Sequence, residues 1–99
     1  MIWNRSEKEI IRQRIVFFGW VQGVGFRWRA MQAATRFGMT GWVRNDPSGS
    51  VTMELQGTRE QIDKVIMEIR QSPFINIDRM EIETIPLKEG EHRFQPLLL

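Results

Sequence analysis

Along this chain, segments with an apolar residue at every second position alternate with segments that have one at every third or fourth position. The change from the first spacing to the second and back occurs twice. Spacing of two is typical of a half-buried strand, and spacing of three and four is typical of a helix with one apolar face. The strand-like segments are residues 11–18, 40–45, 50–56 and 75–85, and 92–94 could add a short fifth strand. The helical segments run from Phe26 to a stop at Gly38, and from a Thr58–Gln61 capping box towards Pro73.

The resulting order, strand, helix, strand, strand, helix, strand, predicts an α+β fold of the ferredoxin-like βαββαβ type. In this fold both helices lie on one face of a mainly antiparallel sheet. In the first strand Ile15 and Phe17 share the face that we expect to meet the helices. The third strand alternates core-facing apolar residues with polar residues that we expect to face solvent, namely Thr52, Glu54 and Gln56. Many unrelated functions use this fold, so the chemistry has to be argued from a site.

Length and composition restrict the kinds of site that the chain can build. Its 99 residues have room for one domain, which we place at 10–95, between an extension at 1–9 and a tail at 96–99 that we expect to fray. The sequence has no cysteine and one histidine, His92, which excludes disulfides, thiol nucleophiles and a multi-histidine metal site. No segment is long enough to span a bilayer, and the start does not resemble a signal peptide. We therefore expect a cytoplasmic monomer that needs no metal, cofactor or membrane.

The charges are unevenly placed along the chain. No carboxylate occurs between Glu9 and Asp46, whereas that stretch contains six arginines. An acid-free, arginine-rich segment favours an anionic partner. Because the net charge is only +2, a phosphate-sized ligand fits better than nucleic acid. We expect three of these arginines, Arg29, Arg36 and Arg44, to be surface charges that raise the local positive potential.

The segment "GWVQGVGFR", residues 19–27, joins the first strand to the first helix. Gly23 and Gly25 have no Cβ, so the backbone there can adopt positive φ and come close to a ligand. Such a turn directs successive N–H groups and the positive end of the helix dipole into one concavity, beside the planar guanidinium of Arg27. The segment matches neither a Walker loop nor the dinucleotide fingerprint. Glycine spacing alone leaves two interpretations open, an anion cradle and a tight turn with a solvated arginine.

A second segment, "GWVRN" at residues 41–45, follows "VQGVGFR" at residues 21–27. This pair resembles the signature of acylphosphatases, and the resemblance extends over about residues 12–95. It implies hydrolysis of the carboxyl-phosphate anhydride of small acyl phosphates to carboxylate and inorganic phosphate. By position, it implies that Arg27 and a run of backbone amides bind the phosphate, and that Asn45 holds the attacking water. The amides belong to Gln22, Gly23, Val24, Gly25 and Phe26.

Other interpretations of the same residues stay open. The motif pair also marks a carbamoyl-phosphate-handling domain of the hydrogenase-maturation type, where proline usually follows the arginine; here Trp28 follows Arg27. A non-catalytic anion-binding module is another candidate, and hydrolysis of an acyl phosphate would separate it from an enzyme. An RNA-binding domain of this topology would need exposed aromatic residues on its central strands, where the third strand has polar residues. Trp20, inside the loop motif, could pack beside the acyl group of a substrate, but we expect it to cover the core.

Overall fold

The computed structural model describes residues 8–98, so most of the predicted extension at 1–9 lies outside the described residues. Within them the chain forms five strands and two helices. These are β1 (Ile10–Trp20), α1 (Phe26–Arg36), β2 (Thr40–Asn45), β3 (Val51–Thr58), α2 (Arg59–Arg70), β4 (Asn76–Ile85) and β5 (Phe94–Pro96). The predicted βαββαβ order is confirmed, and β5 extends it.

The strands form one sheet in the order β4-β1-β3-β2-β5. β1 pairs antiparallel with β3 and β4, β2 pairs antiparallel with β3, and β5 runs parallel to β2. The register places Ile15 opposite Met53, and Met53 opposite Val43, so these three residues share one face of the sheet. All three are fully buried, which locates the core on that face.

Both helices cover this core face. The residues that they bury in the core are Phe26, Ala30, Ala33 and Ala34 from α1, and Ile62, Val65 and Ile69 from α2. The helices begin differently, because Thr58 caps α2 through a complete capping box with Gln61, whereas α1 begins after Gly25 without a side-chain cap. No helix of the described range combines the length and the apolar character that crossing a membrane requires.

The opposite face of the sheet is less exposed than the sequence predicts. Thr52 and Glu54 are buried and Gln56 is half-buried, so the prediction that they face solvent is wrong for the first two. The connection from β4 to β5 has to pass from one edge of the sheet to the other, and it covers this face on the way. There Glu91, from that connection, and Glu54 both form ion pairs with Arg12, whose side chain is 1% exposed. A buried ion-pair network therefore replaces the expected open surface.

The last strand, β5, lies further along the chain than the predicted 92–94. Phe94 determines its position, because this residue is buried and pairs with Gly41 of β2. Pro96 lacks an N–H, and as expected it occupies an edge strand. Beyond it, the N–H of Leu97 donates to the carbonyl oxygen of Val43 at 2.8 Å. The tail that the sequence predicts to fray is therefore held beside β2 as far as Leu97.

Candidate active site

A cleft of about 320 Å³ lies where the loop between β1 and α1 meets the end of β2. It brings together five of the residues that the sequence assigns to the site, namely Gly23, Gly25, Phe26, Arg27 and Asn45. Its other lining residues are apolar, namely Val21, Trp28, Met31, Pro96 and Leu98. Gln22 and Val24 do not line it, since Val24 packs against the core and Gln22 turns its side chain to the β2–β3 turn. Because only their backbone amides are assigned a role, that role stays a prediction.

Gly23 and Gly25 are required by the path of the backbone. Their φ angles are 73° and 80°, in the left-handed region that side-chain-bearing residues rarely adopt. A Cβ built on either residue would meet no other atom within 4 Å, so the space in front of both is open. The glycines thus bend the chain without crowding, and they leave the backbone accessible from the cleft.

The loop exposes a run of hydrogen-bond donors. The backbone N–H groups from Gln22 to Trp28 have no acceptor within residues 8–98. The first bond at the start of α1 runs from the N–H of Arg29 to the carbonyl oxygen of Gly25, at 3.0 Å. The N-cap Gly25 has no side chain to offer, and the first turn contains no acidic residue. The start of α1 therefore presents unpaired donors and the positive end of its dipole to the cleft.

Arg27 differs from the other arginines of the acid-free stretch. Within the described residues it makes no hydrogen bond or ion pair. The others are paired: Arg12 with Glu54 and Glu91, Arg14 with Glu54, Arg29 with the carbonyl oxygen of Glu68, Arg36 with the Glu68 carboxylate, and Arg44 with Asp46. The expectation that Arg29, Arg36 and Arg44 are surface charges agrees with Arg36, which is exposed, whereas the other two are half-buried, and all three have partners. Among these arginines, only the guanidinium of Arg27 is available to an anion.

The turn that follows Asn45 is fixed by the side chain of Asp46. Its Oδ2 accepts hydrogen bonds from Oγ of Ser50 at 2.8 Å and from Oγ1 of Thr52 at 2.7 Å. Its Oδ1 accepts a hydrogen bond from Nε of Arg44 at 3.0 Å. Burial alone would raise the pKa of Asp46, but the hydrogen bonds from Thr52, Ser50 and Arg44 outweigh burial, and the pKa lies below its ordinary value. The carboxylate is therefore a fixed negative centre at the base of this turn.

The side chain of Gln22 joins the loop to the same turn. Its Nε2 donates to the carbonyl oxygens of Asp46 at 2.7 Å and Ser50 at 2.8 Å. Asn45, the residue before Asp46, is half-buried, and its carboxamide makes no hydrogen bond to any described residue. The backbone on both sides of the cleft is thus held in place, while the Asn45 carboxamide is free to bind a small ligand.

Trp20 does not cover the core, contrary to the sequence prediction. It is 72% exposed and lines a separate shallow surface with Gly49 and Asn76. The cause is the ordinary alternation of side chains in β1, which places Trp20 on the same side as Val16 and Phe18, opposite the face of Ile15 and Phe17 that meets the helices. The tryptophan that does line the cleft is Trp28, on α1.

Sequence reasoning misses several side chains of the site, namely Asp46, Trp28, Met31 and Leu98. Asp46 has a recognisable signal, because an aspartate at the start of "DPSGS" is a residue type that accepts hydrogen bonds within its own turn. Leu98 has no local signal, since its position depends on the long-range pairing of β5 with β2.

This combination defines a class of protein: a ferredoxin-like domain with an uncapped glycine loop, an unpaired arginine and a free asparagine at one cleft. The family model described as acylphosphatase matches residues 13–96. The chain therefore belongs to the acylphosphatase family of hydrolases.

Individual relatives agree with this assignment. The chain is similar to the acylphosphatase of Lactobacillus johnsonii, with 40% identity over 78 residues that cover 77% of this chain and 86% of the relative. It is 42% identical to the acylphosphatase of Oceanobacillus iheyensis over 69 residues, which cover 68% of this chain and 76% of the relative.

Solved structures extend the comparison to the fold. The crystal structure of acylphosphatase from Bacillus subtilis matches with a TM-score of 0.81 at 29% identity, over 89% of this chain and 99% of that one. Full-length HypF in its phosphate- and nucleotide-bound form matches with a TM-score of 0.80 at 32% identity. The HypF match covers 91% of this chain but only 12% of the HypF chain.

Replacing Asp46 with asparagine should destabilise the protein in a pH-dependent way. The folded-state pKa is lowered, so the stabilisation is present above the ordinary carboxyl pKa of about 3.9 and is lost as the pH falls through the folded-state value. Urea unfolding at neutral pH should show a loss of about 1–3 kcal/mol in the free energy of unfolding. The difference from the wild type should shrink in acid.

The matched control is Asp63→Asn, at an exposed position on α2, which should leave stability nearly unchanged at both pH values. An Asp46→Asn variant as stable as the wild type at neutral pH would contradict the role given to this carboxylate.

Proposed function

We propose that this chain hydrolyses small acyl phosphates by in-line attack of a water molecule on phosphorus. The water oxygen forms a new bond to phosphorus while the bond from phosphorus to the acyl oxygen breaks. The electron pair of that bond leaves with the carboxylate, and the water protons remain on the inorganic phosphate or pass to solvent. The products are one carboxylate and one inorganic phosphate.

Phosphate binding is the role of the loop in this proposal. Charge in the transition state of phosphoryl transfer is spread over three equatorial oxygens, so several preorganised donors are needed around one group. The backbone amides of Gln22 through Phe26 and the guanidinium of Arg27 supply such donors. Arg27 can bind two phosphate oxygens at once through its planar fork.

Positioning of water is the role of Asn45. A carboxamide offers both an acceptor oxygen and a donor NH₂ group, so it can orient a water molecule by two hydrogen bonds. Support comes from the free Asn45 carboxamide, which lines the same cleft as Arg27. Holding the nucleophile in line accounts for rate acceleration without any proton transfer by the protein.

The reaction does not need a general acid. The leaving carboxylate has a conjugate acid with a pKa of about 4, so it departs without being protonated. This agrees with the cleft's lining within residues 8–98, which includes neither a carboxylate nor a histidine. Within residues 8–98 no group of three or more histidine, cysteine, aspartate or glutamate side chains is placed to hold a metal ion. The loop and Arg27 are proposed to stabilise the phosphate charge by themselves.

One observation carries this proposal: unpaired donors from three sources converge on a single cleft. The sources are the backbone of the loop, the guanidinium of Arg27 and the carboxamide of Asn45. No described residue accepts from these donors, and Gly23 and Gly25 are exposed, so the donors are open to a ligand from solvent; an oxyanion and a water are ligands that such a set fits.

The alternative of a carbamoyl-phosphate-handling domain stays open, and the likeness to HypF, solved in a phosphate- and nucleotide-bound form, is compatible with it. Such a domain would bind the phosphate with the same loop and arginine. Its substrate would carry a carbamoyl group on that phosphate in place of another acyl group. Steady-state rates with acetyl phosphate and carbamoyl phosphate compare the two directly. A non-catalytic anion-binding module would bind inorganic phosphate and hydrolyse neither compound.

Arg27→Gln tests the phosphate site. The wild type should hydrolyse acetyl phosphate and be inhibited competitively by inorganic phosphate. The variant keeps much of the side-chain length but loses the charge and the fork, so kcat/KM should fall by at least about 10²-fold and phosphate inhibition should disappear.

Arg36→Gln is the matched control, because Arg36 lies at the far end of α1 and is paired with Glu68. It should hydrolyse acetyl phosphate at nearly the wild-type rate. If Arg27→Gln did the same, the loop would be a turn with no role in binding phosphate.

Asn45→Ala tests the proposed division of labour. Arg27 contacts phosphate before and during the reaction, whereas Asn45 contacts only the water. The variant should therefore lose about 10²-fold or more in kcat, with little change in the inhibition constant of inorganic phosphate. Asn76→Ala, at an exposed position of β4, is the control and should retain both values. Weaker phosphate inhibition with an unchanged kcat would show that Asn45 is a phosphate ligand instead.

A further inference from the structure

The cleft has an apolar part besides the loop, Arg27 and Asn45. The reaction proposed above assigns no role to this part. Beside these polar groups, its walls consist of the side chains of Val21, Phe26, Trp28, Met31, Pro96 and Leu98. Val21 and Phe26 are almost fully buried and belong to the core, so they form its floor. Trp28 and Leu98 are 63% and 81% exposed and stand at its edge.

Large apolar side chains at the mouth of a polar cleft are a feature of small-molecule sites, because they can cover the non-reacting part of a ligand. Trp28 is held there by α1, and Leu98 is held by the pairing of β5 with β2 and by the bond from Leu97 to Val43. Both elements are parts of the folded domain. The elements of the folded domain therefore hold these apolar walls in place beside the loop.

The distribution of charge restricts what this second part can bind. Among residues 8–98, Arg27 is the one charged residue that lines the cleft. The nearest arginines in sequence are engaged, Arg29 with the carbonyl oxygen of Glu68 and Arg44 with the carboxylate of Asp46. A second phosphate or a carboxylate on the acyl group would therefore face apolar walls without a cation, which is unfavourable.

We propose that the cleft selects acyl phosphates that carry a single phosphate and a compact apolar acyl group, which packs between Trp28, Met31 and Leu98. The proposal rests on the hydrolysis proposed above and adds its substrate class. Acetyl phosphate presents only one methyl group to these walls, and 1,3-bisphosphoglycerate carries a second phosphate that would lose hydration against them without gaining a cation. A four-carbon or aromatic acyl group fits the walls better.

The test compares acetyl phosphate with butyryl phosphate, whose leaving carboxylates have the same chemistry and differ by two CH₂ groups. Burying a CH₂ group favours binding by about fourfold, so kcat/KM should be about tenfold higher for butyryl phosphate in the wild type. For 1,3-bisphosphoglycerate, kcat/KM should be lower than for butyryl phosphate.

Trp28→Ala and Leu98→Ala should each lower the butyryl-to-acetyl ratio of kcat/KM towards one. Trp20→Ala is the matched control for the tryptophan and Leu87→Ala for the leucine, because both residues are exposed outside the cleft. Both controls should retain the wild-type ratio. A ratio that is near one in the wild type, or that neither cleft variant changes, would overturn the proposed selectivity while hydrolysis itself stands. If the wild type hydrolysed neither compound, both the proposed hydrolysis and the proposed selectivity would be overturned.

Discussion

The loop between β1 and α1 brings together backbone N–H groups that no described residue binds, next to the start of a helix whose first N–H groups also lack partners. From Gln22 to Trp28 the amides have no acceptor among residues 8–98, and α1 begins without a capping side chain. The other helix, α2, closes its own start with a capping box, so the open end of α1 is not a general property of the chain. Gly23 and Gly25 contribute to it, because their positive φ angles bend the backbone tightly where it lines the cleft. The proposed chemistry depends on this concentration of free donors.

A loop with so few internal bonds needs support from outside itself, and the structure supplies it through one side chain and one turn. Gln22 is bonded to the backbone of the β2–β3 turn, and Asp46 holds that turn with three hydrogen bonds. Asn45 lies directly before Asp46, so the contacts that fix the loop also fix the proposed holder of the water. Pairing of the neighbouring arginines adds to this arrangement, because it leaves Arg27 as the free guanidinium beside the amides. Rigid placement of donors is what phosphoryl transfer requires most.

Local patterns in the sequence predict most of the fold and part of the site. The alternation in the strands, the capping box at Thr58 and the stop at Gly38 are short-range signals, and the order of elements follows from them. The glycines and Arg27 are likewise visible, because their chemistry is specific to the residue type. Burial of Glu54 could not be predicted, since it depends on a connection that passes from one edge of the sheet to the other. The pairing of the arginines and the place of Leu98 beside the cleft depend on long-range contacts in the same way.

The central claim is that the amides from Gln22 to Phe26 and the guanidinium of Arg27 together bind one phosphate group. An NMR titration of the ¹⁵N-labelled protein with inorganic phosphate measures this directly, because each backbone amide and each arginine Nε–H gives its own signal. The largest shifts should occur at these amides and at Nε of Arg27, while the capped start of α2 at Arg59 should not change. Shifts centred on the paired arginines or on α2, with the loop amides unmoved, would contradict the claim.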